Sequence, residues 1–228
     1  MNGAVTEVQR SARTKEPAEK PEVVFARFLI AIACALVLAA APARAADAEP
    51  AQPDADGYIR HWVMLAPITL PDRESCAEAL LKDQIPSEAA LRPKAGDTVK
   101  IRSKEFTWRN VIASTNYFDF NATLKSANDH AAGYVATYIE CDKEMPEVIL
   151  SVGSNDQGRI YFNGVDIYAF TEARPLMLDA DKGKVTLKKG TNVLLFKVLN
   201  EQNSWQCSMR LLDKSGAPLK GLRIKLQP

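Results

Sequence analysis

Between Gly133 and Gly221 the apolar residues come in short runs broken by turn formers, and the spacing is that of strands. Residues 192–199 are the clearest case: Leu194, Phe196 and Val198 fall on one face, Val193, Leu195 and Leu199 on the other. A strand that is apolar on both faces needs cover on both. In residues 204–212 Cys207 keeps step with Trp205, Met209 and Leu211, which predicts that its thiol faces inward. Phe162-Asn163-Gly164-Val165 supplies the two residues that tolerate positive φ in a type I′ turn, so residues 159–162 and 165–170 read as a hairpin. Further strands are predicted over 58–65, where Pro67 stops the run, and over 98–101, 107–113, 133–140, 147–152, 184–187 and 222–226. Residues 75–82 break the pattern. Ser75 with Glu78 three positions later is a capping box, and the short helix it starts is the available cover for the outer face of residues 192–199. Many short strands with turns between them specify an all-β fold, an antiparallel β-sandwich with one short N-terminal helix, formed as a single domain over residues 58–228.

The first 57 residues read differently. Phe28 to Ala41 is an uncharged apolar run preceded by Arg27 and followed by Ala43-Arg44-Ala45, a small-x-small cleavage pattern, so residues 1–45 are predicted to be a signal peptide cut before Ala46. The run is shorter than the roughly 20 residues a bilayer span needs, which favours cleavage and no membrane span over a retained anchor. The expected location is exported, periplasmic or extracellular. Residues 46–57, rich in Ala, Asp and Pro, read as a disordered leader. The 228-residue chain carries 29 basic and 28 acidic side chains; the signal takes six and four of them, leaving 23 against 24. A near-neutral domain gives no electrostatic case for nucleic acid.

Three cysteines lie beyond the signal, Cys76, Cys141 and Cys207, in a compartment that permits disulfides. With Cys207 facing inward, two arrangements stay open: a Cys76–Cys141 bridge with Cys207 reduced, or three free thiols.

The order Trp62-Val63-Met64-Leu65-Ala66-Pro67, Trp108-Arg109-Asn110-Val111, Asp119-Phe120 and 132–139, followed by Ser154-Asn155-Asp156, the Asn163-Gly164 hairpin, 187–192 and Asp213-Lys214-Ser215-Gly216, resembles the galactose-binding-like jelly-roll modules found beside bacterial glycoside hydrolases. It is most similar to the sugar-binding type of glycoside hydrolase family 2, over nearly all of residues 58–226. The resemblance implies that Asn155 and Asp156 stand in the family's turn and that Arg174 takes the place of an Arg that follows the hairpin. It departs from the family at Thr191, where many relatives carry Trp. Such modules bind glycans, bind calcium, or dock on a partner domain.

The candidate ligand-binding residues are therefore Asn155, Asp156 and Arg174, with Tyr117 and Phe118 supplying aromatic area from the loop 114–120. Asp156 is also the candidate metal ligand, calcium being the one cofactor in view. Asp179-Ala180-Asp181-Lys182-Gly183 lacks the twelfth-position Glu of a calcium loop, which is Gly190 here. The two histidines, His61 and His130, have no thiolate cluster near them in sequence, and no Gly-x-Ser-x-Gly elbow occurs. Asp119, Asp129, Asp156 and Glu172 are the loop acids that a glycoside hydrolysis would draw on, and the resemblance argues against that use. Two functions follow: a non-catalytic module that holds glycans, or a structural or interaction subunit that docks a protein.

Overall fold

A computed structural model describes residues 50–228. The predicted signal peptide, residues 1–45, and the first residues of the predicted leader lie outside the described residues. Two antiparallel sheets pack face to face, as the pattern predicts. The larger has the order β4 (Arg109–Ile112), β1 (His61–Thr69), β6 (Ala131–Cys141), β11 (Gly190–Asn200), β8 (Gly158–Phe162), β9 (Val165–Phe170). A further strand, β13 (Leu222–Lys225), pairs with β6 beyond the end of β1. The smaller sheet runs β10 (Asp181–Leu187), β7 (Met145–Asn155), β12 (Gln206–Leu212), β5 (Phe118–Asp119). A separate hairpin joins β2 (Thr98–Ile101) to β3 (Lys104–Thr107).

Strand β11 lies in the middle of the larger sheet, and its two faces feed two cores. Leu194, Phe196 and Val198 join Trp62, Val135, Ile160, Trp205 and Met209 between the sheets. Leu195 and Leu199 join Leu65, Tyr134, Tyr161 and Trp108 on the outer side, beneath Cys76, Ala79 and Leu80 of α1 (Cys76–Leu81). The cover is the predicted helix, with its capping box formed: Ser75 accepts from the Glu78 backbone N–H, and the Glu78 carboxylate accepts from that of Ser75. Trp108 and Trp205 are both core residues, the first edge-on to Tyr134 and the second stacked on Phe120.

This outer core holds a fully buried ion pair. Lys197 of β11 and Glu88, in the 3₁₀ turn Glu88–Ala90, are both 0% exposed, with Lys197 Nζ 3.0 Å from Glu88 Oε1. The ammonium also donates to the Lys82 carbonyl at 2.6 Å, while the carboxylate accepts from the hydroxyls of Tyr134 and Tyr161 and from the Gln84 backbone N–H. Charges out of water persist only when every valence is met. The pair therefore ties the cover segment to the centre of the larger sheet.

Several expectations need correction. Pro67 does not stop β1, which runs on to Thr69 through a register shift between Leu65 and Ile68, an irregularity of the kind that accommodates a missing N–H. Residues 107–113 are not one strand: Thr107 ends β3, and β4 begins at Arg109. The leader is ordered from Pro50 onward. Ala51 bridges Ile224 of β13, and the Asp54 carboxylate accepts from the Tyr58 N–H and pairs with Arg60.

The Cys76–Cys141 bridge is absent, and all three cysteines are free and buried. Cys76 Sγ lies against the Asn200 carbonyl at one end of β11, and Cys141 pairs with Gly190 at the other. Ten residues of strand separate these ends by about 33 Å, far beyond the roughly 4.4–6.8 Å between Cα atoms that a disulfide spans. Cys207 faces the inner core as expected.

Candidate functional site

The end of β7 places the predicted turn. Ser154 faces inward and is buried, Asn155 falls opposite Gln206 of β12, and the chain then turns into β8 at Gly158. Asp156 is not an exposed turn residue: it is 8% exposed. Its carboxylate accepts from the Glu201 backbone N–H at 2.8 Å and its own N–H donates to the Leu199 carbonyl. Burial raises the acid's pKa, partly offset by the backbone N–H groups of Glu201, Arg174 and Gln202. Three loops thus converge on one carboxylate, which gives it a holding role.

Arg174 arrives at the same corner. Its guanidinium donates to Ser154 O and Oγ, to the Tyr168 hydroxyl at 2.8 Å and to Asp181 at 2.6 Å, and its plane sits 3.6 Å above the centre of the Phe170 ring. Burial raises the Asp181 carboxyl, but the bonds from Arg174 and Tyr168 outweigh it and hold the group below the ordinary range. Arg174 also starts a strap, residues 174–179, that crosses the outer face of the smaller sheet. Its far end is fixed by Asp179, which accepts from Ser151 at 2.6 Å and from two nitrogens of Arg210. Between the anchors the Met177 carbonyl lies over Gly153, where an added Cβ would stand 2.3 Å from it. Only glycine lets the strap come so near.

Beside the strap the smaller sheet presents a polar strip. Register puts Asn155, Gln206 and Asp119 in one row across β7, β12 and β5, and residues directly opposite share a face. Ser208 follows on the same face of β12 but is 3% exposed, covered by the strap where it crosses Gly153. The Asn155 Oδ1 and Ser208 Oγ atoms are buried without a hydrogen-bond partner among the described residues. Gln206 Nε2 donates to Asp119 Oδ2 at 2.9 Å, while Asp119 Oδ1 caps α2 (Phe120–Leu124) through the Ala122 N–H.

At the β5 end the strip opens into a hollow of about 240 Å³ lined by Tyr117, Asp119, Thr115, Ser114, Thr123 and Ile112 among others. Tyr117 is half-buried there. Phe118 also borders the hollow, but it is 1% exposed and its ring is edge-on to Phe120 in the inner core. The predicted residues therefore separate. Asn155 and Tyr117 reach the strip and its hollow, with Asn155 and Asp119 about 10 Å apart across two strand spacings, while Asp156, Arg174 and Phe118 hold the surrounding fold.

The residues of the row that sequence reasoning missed as candidate ligand groups are Gln206 and Asp119. The alternation that sends Cys207 and Met209 inward sends Gln206 and Ser208 outward, so the signal was present in the period. The other loop acids are engaged or scattered, Asp129 accepting from the Asn203 N–H. Among the described residues no group of three or more His, Cys, Asp or Glu side chains is placed to hold a metal ion. Asp179 and Asp181 serve two different arginines. No helix of the described residues is long and apolar enough to cross a membrane.

No protein-family model matches the chain, and no curated protein is detectably similar to it. The β-sandwich stands on the structure, and the resemblance to a sugar-binding family gains no support at the level of sequence.

Proposed function

We propose that this is a non-catalytic, carbohydrate-binding-like module of an exported protein, of the galactose-binding-like kind, taking a glycan along the polar strip with one sugar ring against Tyr117. The observation that carries the reading is the hollow itself: one half-buried aromatic beside Asp119 and the hydroxyl-bearing Ser114, Thr115 and Thr123, with Gln206 bonded to Asp119 next along the strip. Sugars demand that combination, an apolar ring face for stacking and convergent hydrogen-bonding groups for the hydroxyls. Engagement of Asp119 and Asp156 with backbone N–H groups favours binding over acid–base chemistry.

A glycan array probed with the chain, with and without calcium, tests the reading. Tyr117→Ala should weaken any hit about tenfold, the equivalent of about 1.4 kcal/mol, and Gln206→Ala should weaken it as well, both with unchanged circular dichroism. No hit on the array, or hits indifferent to both substitutions, would overturn the assignment.

A further inference from the structure

The strip leaves one side of the sandwich unexplained. Strands β9 and β10 are the terminal strands of their sheets on the same side, each with one edge carrying no strand partner among the described residues. Between them opens a crevice of about 120 Å³ with Leu150, Val152, Ile160 and Val185 as its floor and Ile167 and Gly183 at its mouth; Tyr168 and Asp181, bonded to each other at 2.8 Å, also line it. The floor residues belong to the inner core, so the crevice is a gap in the seam between the sheets.

Strand β10 is built asymmetrically. Asp181, Gly183 and Val185 stand opposite Val152, Leu150 and Val148 and face inward. Lys182 and Lys184 stand opposite Ser151 and Ile149 and face outward. Lys184 pairs with Glu147, whereas Lys182 is exposed and has no ion-pair partner among the described residues. Gly183 is what keeps the crevice open: a Cβ there would meet nothing within 4 Å, and its φ is not in the left-handed region. Backbone strain does not require glycine here, and the empty space follows from having no side chain. Ile167, 38% exposed, and Val165, 61% exposed, add apolar area on the β9 side.

We infer that the β10 edge accepts an extended peptide strand of a partner protein, with an aliphatic side chain entering the crevice opposite Gly183 and acidic side chains on either side of it facing Lys182 and Lys184. An added strand continues the ladder, and its alternate residues point to opposite faces. One points into the crevice, and its two neighbours point to the lysine face. A cavity of about 150 Å³ accommodates benzene, so this somewhat smaller one fits an isopropyl or isobutyl group. The outward lysines also discourage pairing with another copy of the same edge, since identical edges would set like charges against each other. An acidic partner removes that penalty. The inference is independent of the glycan reading, which uses the outer face of β7, β12 and β5.

The probe is the capped pentapeptide Thr-Glu-Val-Glu-Thr, titrated into the isotopically labelled protein while backbone amide shifts are followed. The expected result is saturable shifts confined to β10 and β9, with Gly183→Trp and Lys182→Glu each weakening the affinity at least about tenfold. Gly183→Trp fills the mouth from an exposed strand position, and circular dichroism checks that it folds. The peptide with Lys in place of both Glu residues should bind at least about tenfold more weakly. The inference is overturned if the peptide gives no shifts at about 1 mM, if the lysine peptide binds equally, or if Gly183→Trp folds and binds unchanged. Sedimentation showing a wild-type dimer that Gly183→Trp dissolves would give the edge to a second copy and overturn it as well.

Discussion

Replacing Glu88 by Gln is the most informative single change to the fold. The shape is kept, but Lys197 loses its counter-charge and retains the Lys82 carbonyl as its acceptor, while the Tyr134 and Tyr161 hydroxyls lose a carboxylate. Both members of the pair are 0% exposed, so water cannot replace what is lost. Removing one partner of a buried pair costs about 3–5 kcal/mol. At a urea slope of about 2 kcal/mol/M the unfolding midpoint should fall by about 2 M, read by tryptophan fluorescence. Replacing both, Glu88→Gln with Lys197→Met, should restore most of the loss, because no charge is then stranded. The pH dependence supplies a second reading. Burial pushes the Lys197 ammonium below its ordinary value and Glu88 holds it up, so Glu88→Gln drives it lower still. Between the folded pKa and the ordinary lysine value the unfolded chain binds more protons, so stability rises with pH there, and below the folded pKa the penalty is complete. The variant should therefore regain stability on alkalinisation, starting at a lower pH than the wild type. A Glu88→Gln protein within about 1 kcal/mol of wild type, or a double variant no better than the worse single one, would refute the argument.

Other substitutions test the strap, the thiols and the turn. Gly153→Ala drives a methyl into the Met177 carbonyl and should lift the strap, seen as faster amide exchange and proteolysis around residues 174–179 with the sandwich intact. Burial raises the Asp179 carboxyl, but the Arg210 and Ser151 bonds outweigh it and hold its pKa low. The anchor is thus intact above the ordinary aspartate range and lost as pH falls through the folded value, so strap exchange should accelerate below about pH 4. Cys76, its thiol pushed up to about 12 by burial with Glu201 and Asp156 nearby, should resist iodoacetamide in the folded state. Denaturation without reductant should expose Cys76, Cys141 and Cys207 alike to alkylation, as peptide mapping by mass would show. Asp156→Ala should lower the unfolding midpoint whether or not a ligand is present, because the Glu201 N–H loses its buried acceptor, at a cost of about 1–3 kcal/mol.

The period of the apolar residues carried the fold a long way. Residues 192–199 were legible as a central strand because both faces are apolar, and the capping box at Ser75 pointed to the segment that covers its outer face. Less legible was what that segment brings with it. Glu88 reads as an ordinary surface acid in sequence and Lys197 as a break in an apolar run. Their pairing is a contact across 109 positions that no local pattern encodes. Pro67 misled for a related reason: proline argues against a strand interior, yet a register shift lets β1 pass through it. The leader's ties are partly just as distant: Ala51 bridges Ile224 of β13, 173 residues away in sequence.

The site divides along a finer line, the parity of single residues. The sequence offered two adjacent pairs, Asn155 with Asp156 and Tyr117 with Phe118, and composition treats both members of each as ligand groups. Strand geometry separates them: only Asn155 and Phe118 lie in strands, where the register fixes the face each takes, while Asp156 and Tyr117 lie just outside. Phe118 pairs with Cys207 and goes inward, so Asp119 beside it goes outward with Gln206. Asn155, opposite the same Gln206, takes the outward face too, and the next residue leaves the strand and turns its carboxylate to the backbone of Glu201. A loop assignment for residues 114–120 hides this parity, because β5 contributes only two residues and gives no alternation to read. The row Asn155, Gln206, Asp119 exists only once β12 lies between β7 and β5, and the register alone sets those three side chains on one face.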